Sequence, residues 1–278
     1  MEKVNTGSAA ADQKKPAQSQ TLDHFADFDF GKLEINVEAM FKSGVHFGHH
    51  KSRRNPKMDE YIFTTKNGVN ILNLEKTAEK LKEAIDFMTQ TVAEGKDILF
   101  VGTKKQAKRI VESAAQRAEM PYVTERWLGG TFTNFPIISE RTRYLRQGLE
   151  KMAKGEYAKY TKFEQMKFKE ELERLERKMG GIKNMEKLPG AVFVTSTLED
   201  NLAIKEAAVK DIPVIALVDT NSNPEGVSYP IPANEDAVSS LKLILGYMVK
   251  AVLEGKAKKA ATVKLEAKEE VKVENKKN

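Results

Sequence analysis

Ile98-Leu99-Phe100-Val101-Gly102-Thr103-Lys104-Lys105-Gln106 decides the fold. Four consecutive apolar residues suit a strand buried on both faces, and Gly102 permits a sharp turn at its end. Thr103 stands three residues before Gln106, the spacing of a capping box. The pattern predicts a helix to about Ala118, with Ala107, Ile110, Val111, Ala114 and Ala118 on one face. This is one βα unit of a parallel sheet. Lys104, Lys105, Lys108 and Arg109 place positive charge at its carboxyl edge, where such sheets hold their ligands.

The same rhythm extends in both directions. Upstream, Tyr61–Thr64 and Val69–Leu72 flank Asn67-Gly68, a hairpin signal because that pair tolerates positive φ. Asn36 and Asn73 are candidate helix caps, and Leu74, Ala78, Leu81, Ile85, Met88 and Val92 form a core stripe. Downstream, strands are predicted at 191–195, 214–218 and, flanked by prolines at an edge, 229–232. Helices are predicted around 202–208 and 236–253. Strands alternating with helices imply a parallel sheet covered on both faces.

Residues 136–186 interrupt this pattern. Ile138, Leu145, Leu149 and Met152, then Phe168, Leu172, Leu175 and Met179, keep heptad-compatible spacing in a mostly charged stretch. They predict an antiparallel coiled-coil hairpin inserted between strands. The predicted organisation is therefore a disordered arm (1–32), a discontinuous α/β domain (33–135 and 187–255), the hairpin (136–186) and a flexible Lys/Glu-rich tail (256–278). In the arm, Phe25, Phe28 and Phe30 could dock on a surface.

The chain has 278 residues, no cysteine and a formal net charge of +6. Disulfides and thiolate metal sites are excluded, which fits a reducing cytosol. No apolar run approaches the roughly 20 residues that cross a bilayer, and no apolar signal region opens the sequence, so a cytoplasmic protein without a membrane partner is expected. The basic balance favours an anionic partner, with nucleic acid foremost.

Between Ala39 and Met58 stand five Lys/Arg and three His without one acidic residue, a potential that attracts phosphate. Lys51, Arg53, Arg54 and Lys57 are the foremost RNA-binding candidates. Arg141, Arg143 and Arg146 of the hairpin form a second group, and Lys104, Lys105 and Lys108 a third. His46 and His49 are three apart, and Asp219, Glu235 or Asp236 are the carboxylates that the fold could bring near them. Without an HExxH motif or a third ligand nearby in sequence, no metal and no cofactor are assigned. Glu125–Phe135 is a glycine loop that holds Trp127, the one tryptophan, as a core anchor. Asp219 at a strand end is the best catalytic candidate, but no base–nucleophile pair accompanies it, and a non-enzyme is expected. The alternatives are an α/β enzyme acting on a phosphorylated ligand near Asp219, or an adaptor whose hairpin binds a protein.

Several ordered motifs together carry a family resemblance. They are Gly44-Val45-His46-Phe47-Gly48-His49, Asn55-Pro56-Lys57-Met58, Asn73-Leu74-Glu75-Lys76-Thr77 and Phe100-Val101-Gly102-Thr103-Lys104-Lys105-Gln106-Ala107. Further along come Arg126-Trp127-Leu128-Gly129-Gly130-Thr131, Gly180-Gly181-Ile182, Ile212-Pro213-Val214, Val218-Asp219-Thr220-Asn221 and Ile231-Pro232-Ala233-Asn234-Glu235-Asp236-Ala237. Over about residues 34–255 the chain resembles the bacterial small-subunit ribosomal protein two family. The resemblance implies a flavodoxin-like α/β domain with a protruding helical hairpin, bound to small-subunit ribosomal RNA between head and body. It also implies contacts with neighbouring ribosomal proteins, among them the large RNA-binding ribosomal protein numbered one, and no catalytic role.

Overall fold

Asn36 opens helix α1 (Val37–Lys42) by accepting the Glu38 N–H, and the chain reverses at Gly44. It then enters a small antiparallel sheet of β1 (Phe47–His50), β2 (Ile62–Lys66) and β3 (Val69–Leu72), in the order β1-β3-β2. Asn67 (φ 52°) and Gly68 (φ 80°) make the predicted hairpin turn. β1 is not among the strands that the sequence pattern predicts: residues 47–50 pair with β3. The computed structural model describes Phe25, Phe28 and residues 30–274.

Asn73 caps α2 (Leu74–Ala93) by accepting the N–H groups of Glu75 and Lys76. Next comes the larger sheet, formed by β4 (Ile98–Val101), β5 (Tyr122–Val123), β6 (Ala191–Val194), β7 (Val214–Val218) and β8 (Tyr229–Pro232). All its pairings are parallel, in the order β5-β4-β6-β7-β8. Numbered within this sheet, the order is 2-1-3-4-5, the flavodoxin-like arrangement. β4 is buried on both faces, as its apolar run requires. Ile98 and Phe100 enter the core beneath α2, α3 (Lys108–Ala118) and α7 (Val238–Glu274). Leu99 and Val101 enter the opposite core, with Trp127, Phe132 and α6 (Asn201–Val209).

Helices α4 (Phe135–Ala153) and α5 (Lys162–Met179) occupy the predicted insertion and pack against each other. Leu145 and Leu172 are buried between them, and Gly148 lets the helices approach: a Cβ there would lie 2.5 Å from a Leu172 methyl carbon. Thr161 and Glu164 form a full capping box at the start of α5.

Three expectations need correction. The helix after β4 starts at Lys108 with no side-chain cap, because the Thr103 hydroxyl donates to Asp200 instead of capping its own helix. Residues 256–274, expected as a flexible tail, continue α7 as helix; residues 275–278 lie outside the described residues. Most of the predicted disordered arm lies outside them too, but Phe25 is fully buried, with Phe28 and Phe30 packed around it. Tyr247 and Lys250 of α7 donate to the carbonyls of Glu34 and Leu33, which fixes the chain just beyond this trio.

Candidate nucleic-acid interface

The basic segment after β1 is held by backbone. Lys51 N–H donates to the Gly68 carbonyl of the small sheet's hairpin and Asn55 N–H to the Thr220 carbonyl beyond β7, so two short turns are held between the two sheets. Within it the four candidate cations differ. Arg54 pairs with Asp59 at 2.5 Å, and Lys57 pairs with Glu225. Lys51 and Arg53 are exposed and have no carboxylate partner among the described residues. They are the unspent positive charge of this segment.

At the carboxyl edge of the large sheet the structure reverses the expected sign. Lys104 folds inward onto Glu235 (3.1 Å) and Asp236 (2.5 Å), and Lys108 reaches Glu125 at 3.1 Å. Only Lys105 of that candidate group stays exposed and unpaired. Burial works against the Lys104 ammonium, but its carboxylate partners prevail and raise its pKa. Burial raises the Glu235 pKa against the pull of Lys104. Asp200, beneath the β4 and β6 ends, accepts from the Thr103 hydroxyl (2.8 Å) and N–H (3.4 Å); burial pushes its pKa up to about 6. This contact links the ends of β4 and β6, where strand order reverses and such folds bind ligands.

His49 joins the same network from the small sheet. Its Nδ1 lies 3.2 Å from Asp219 and its Nε2 3.3 Å from Asp236. The hydrogen bond to Asp219 raises its pKa, burial opposes that, and the charges of Asp219, Asp236 and Glu235 add to the rise. An imidazolium bridging two carboxylates is the state this geometry favours. His49, Asp219 and Asp236 are also the one group among the described residues whose donor atoms converge closely enough to hold a metal ion. His46 does not join them: it is buried between Phe41 and Phe47, with ring centroids 4.4 and 4.1 Å away. The pairing of His46 with His49 suggested by sequence therefore fails. His46 stands just before β1 and His49 within it, and their side chains meet different neighbours.

The glycine loop is organised by a residue that sequence reasoning missed. Glu206 of α6 accepts from the Trp127 indole N–H (3.1 Å), the N–H groups of Gly130 (2.7 Å), Phe132 (3.0 Å) and Thr133 (3.2 Å), and the Thr133 hydroxyl (3.2 Å). Burial pushes its carboxyl up, but these donors prevail and hold it below the usual range. Trp127 anchors in the core edge-on to Phe132, as expected of it. The loop borders a groove of about 380 Å³ against α4 and α5, into which Arg141 faces. Arg143 is exposed elsewhere on α4, and Arg146 pairs with Glu186 at 3.5 Å. Sequence reasoning also missed Arg174 and Lys178, which share the groove with Arg141.

Residues 40–255 match the family model described as Ribosomal protein S2. The chain belongs to the ribosomal protein S2 family. Among relatives, the small ribosomal subunit protein uS2 of Roseiflexus castenholzii (strain DSM 13941 / HLO8) is 47% identical over 222 residues, covering 80% of this chain and 84% of that protein. The protein of the same description from Roseiflexus sp. (strain RS-1) is 47% identical over 221 residues, with the same coverage. The family match spans the basic segment, the carboxyl-edge network, the glycine loop and the helix pair. The docked Phe25, Phe28 and Phe30 precede it.

Proposed function

We propose that this chain is a structural constituent of the small ribosomal subunit, acting in the cytoplasm and binding ribosomal RNA and neighbouring ribosomal proteins. Membership of the ribosomal protein S2 family over residues 40–255 carries this reading. The family is structural and not enzymatic. α4 and α5 serve in it as a coiled-coil hairpin that projects towards the surrounding particle, and the large RNA-binding ribosomal protein numbered one is a candidate neighbour.

Charge placement supports the RNA contacts. Lys51, Arg53, Lys105, Arg141 and Arg143 are exposed and unpaired, so their charge is free for phosphate. Arg54, Lys57, Lys108 and Arg146 must exchange a carboxylate for a phosphate, and Lys104 serves the fold. The alternative of an enzyme acting on a phosphorylated ligand near Asp219 meets Asp200, Asp219, Glu235 and Asp236 at the sheet edge, a surround that repels phosphate.

Cosedimentation of the tagged chain with small subunits over a salt series tests the proposal. Stoichiometric sedimentation that weakens at high salt is expected. Lys51→Ala with Arg53→Ala should remove about two phosphate contacts and flatten the log–log salt slope by roughly 1.5–2. A chain that stays in the supernatant at every salt concentration refutes the reading.

A further inference from the structure

The groove beside the glycine loop differs from the ion-paired basic clusters in being both apolar and uncompensated. Leu128, Ile138 and Met179 contribute an apolar lining, and Arg141, Arg174 and Lys178 supply three cations. No carboxylate lines it, and none of the three cations has an ion-pair partner among the described residues. The larger cleft nearby, about 660 Å³ between α3 and the base of the helix pair, makes the contrast. There Asp97, Glu112, Glu119, Glu125 and Glu176 outnumber Arg177, Lys183 and Lys178, the last of which lines both clefts, and Lys183 pairs with Glu176 at 3.6 Å. Carboxylates are in excess there, whereas cations alone line the smaller groove.

Two further features suit a ligand that approaches the backbone. A Cβ at Gly129 would meet only Leu202, at 3.9 Å, so the peptide stands open. Gly130, at φ +91°, turns the loop, and Glu206 fixes that turn from behind. The site is thus built before anything binds. At about 380 Å³ the groove lies at the low end of the roughly 300–1,000 Å³ typical of ligand pockets, a size for one small flat group.

Resting on the ribosomal reading above, we propose that this groove takes one unstacked nucleotide of ribosomal RNA. Its base lies against the apolar lining and its flanking phosphates on Arg141, Arg174 and Lys178. Sequence-specific RNA recognition commonly uses splayed-out bases of this kind, with guanidinium planes stacking on the base and cations tracking the backbone. An acidic peptide would satisfy the cations but has no flat face for the apolar lining, so RNA is the better match.

The test places a photoreactive benzophenone amino acid at Ile137, a half-exposed position lining the groove, in the full chain expressed in its own cells. Small subunits are isolated, irradiated, and their RNA mapped by primer extension. Sedimentation of the chain with subunits reports on the ribosomal reading; the crosslink reports on the groove. We expect a crosslink to a single unpaired nucleotide. Its yield should fall at least about tenfold when Arg141→Ala and Arg174→Ala are combined in a chain that still sediments. Lys178→Gln replaces the pair if the double variant does not assemble. A crosslink to a ribosomal protein, to duplex RNA, or with a yield insensitive to these substitutions overturns the inference. So does the absence of any RNA crosslink from subunits that contain the chain.

Discussion

Glu206→Ala is the substitution from which the structure predicts the most. The carboxylate has no Lys or Arg partner among the described residues and is held by five donors, three of them backbone N–H groups of the glycine loop. Truncation leaves the Trp127 indole and those three N–H groups without their acceptor; the Thr133 hydroxyl can rotate elsewhere. A buried donor left unpaired costs about 1–3 kcal/mol, so four dry orphans set an upper range of about 4–12 kcal/mol. Water entering the vacated space relieves part of this. We expect a loss of about 4 kcal/mol, comparable to breaking a buried charged network. With a urea slope of about 2–3 kcal/mol per molar, the unfolding midpoint falls by roughly 1.3–2 M. Glu206→Gln should fall between, because its amide keeps one acceptor oxygen but turns an NH₂ group towards N–H donors. Trp127, the one tryptophan and nearly fully buried, gives the local readout: its emission should shift to the red in the Ala variant at zero urea. An Ala variant whose midpoint moves by less than about 0.3 M, with unshifted emission, would refute the account of Glu206 as the loop's anchor.

His49→Gln tests the bridge between the two sheets. Its folded pKa is raised above 6.5, so the stability it contributes is fully present below pH 6.5 and is lost as pH climbs through the folded value. The gap in melting temperature between wild type and variant should be widest near pH 6 and shrink at alkaline pH; a gap that widens there contradicts the imidazolium bridging Asp219 and Asp236 beside Glu235 and Lys104. Asp200→Asn probes the contact at the strand ends. The folded pKa of about 6 against an ordinary 3.8 means that ionisation penalises the folded state above pH 6 by about 3 kcal/mol. Allowing for the weakened bond from the Thr103 N–H, Asn should stabilise by about 1–2 kcal/mol at pH 8, and this advantage should vanish by pH 4 in denaturant titrations. Gly148→Val forces bulk against the buried Leu172 and should cost about 1–3 kcal/mol, with faster amide exchange in α4 and α5 than elsewhere.

What was legible in the sequence was local. The Asn67-Gly68 turn, the Asn36 and Asn73 caps and the doubly buried β4 all depend on residues a few positions apart, and each forms where its pattern places it. What was not legible depends on partners far along the chain. Thr103 has a capping-box spacing but finds Asp200, 97 residues away, and the tertiary bond prevails over the local one. Lys104 reads as a free cation beside Lys105 until Glu235, 131 residues on, is brought beneath it. Glu206 carries no sequence signal, because three of its five donors are backbone N–H groups that any residues would supply and the two side-chain donors, Trp127 and Thr133, stand 79 and 73 residues away. Arg174 and Lys178 are two charges among many on α5, and only the approach of the glycine loop separates them from an ordinary solvated face.

The carboxyl-edge network explains how a fold suited to small ligands can serve as a docking body. In a 2-1-3-4-5 sheet the crevice at the strand-order reversal is the natural place for an anionic ligand. Here Thr103 is bonded to the Asp200 carboxylate there, and Lys104 is spent on Glu235 and Asp236. The neighbouring carboxylates do a different job: Asp219 and Asp236 grip His49, and the Thr220 hydroxyl accepts the His49 N–H at 2.8 Å. Two residues after His49 comes Lys51, and the Asn55 N–H is bonded to the Thr220 carbonyl. The acidic edge therefore clamps both ends of the segment that presents Lys51 and Arg53. The positive charge left unpaired stands at the periphery, on the basic segment, the helix pair and the glycine-loop groove. A ligand crevice faces a molecule small enough to enter it; a periphery of this kind faces a partner larger than the protein itself.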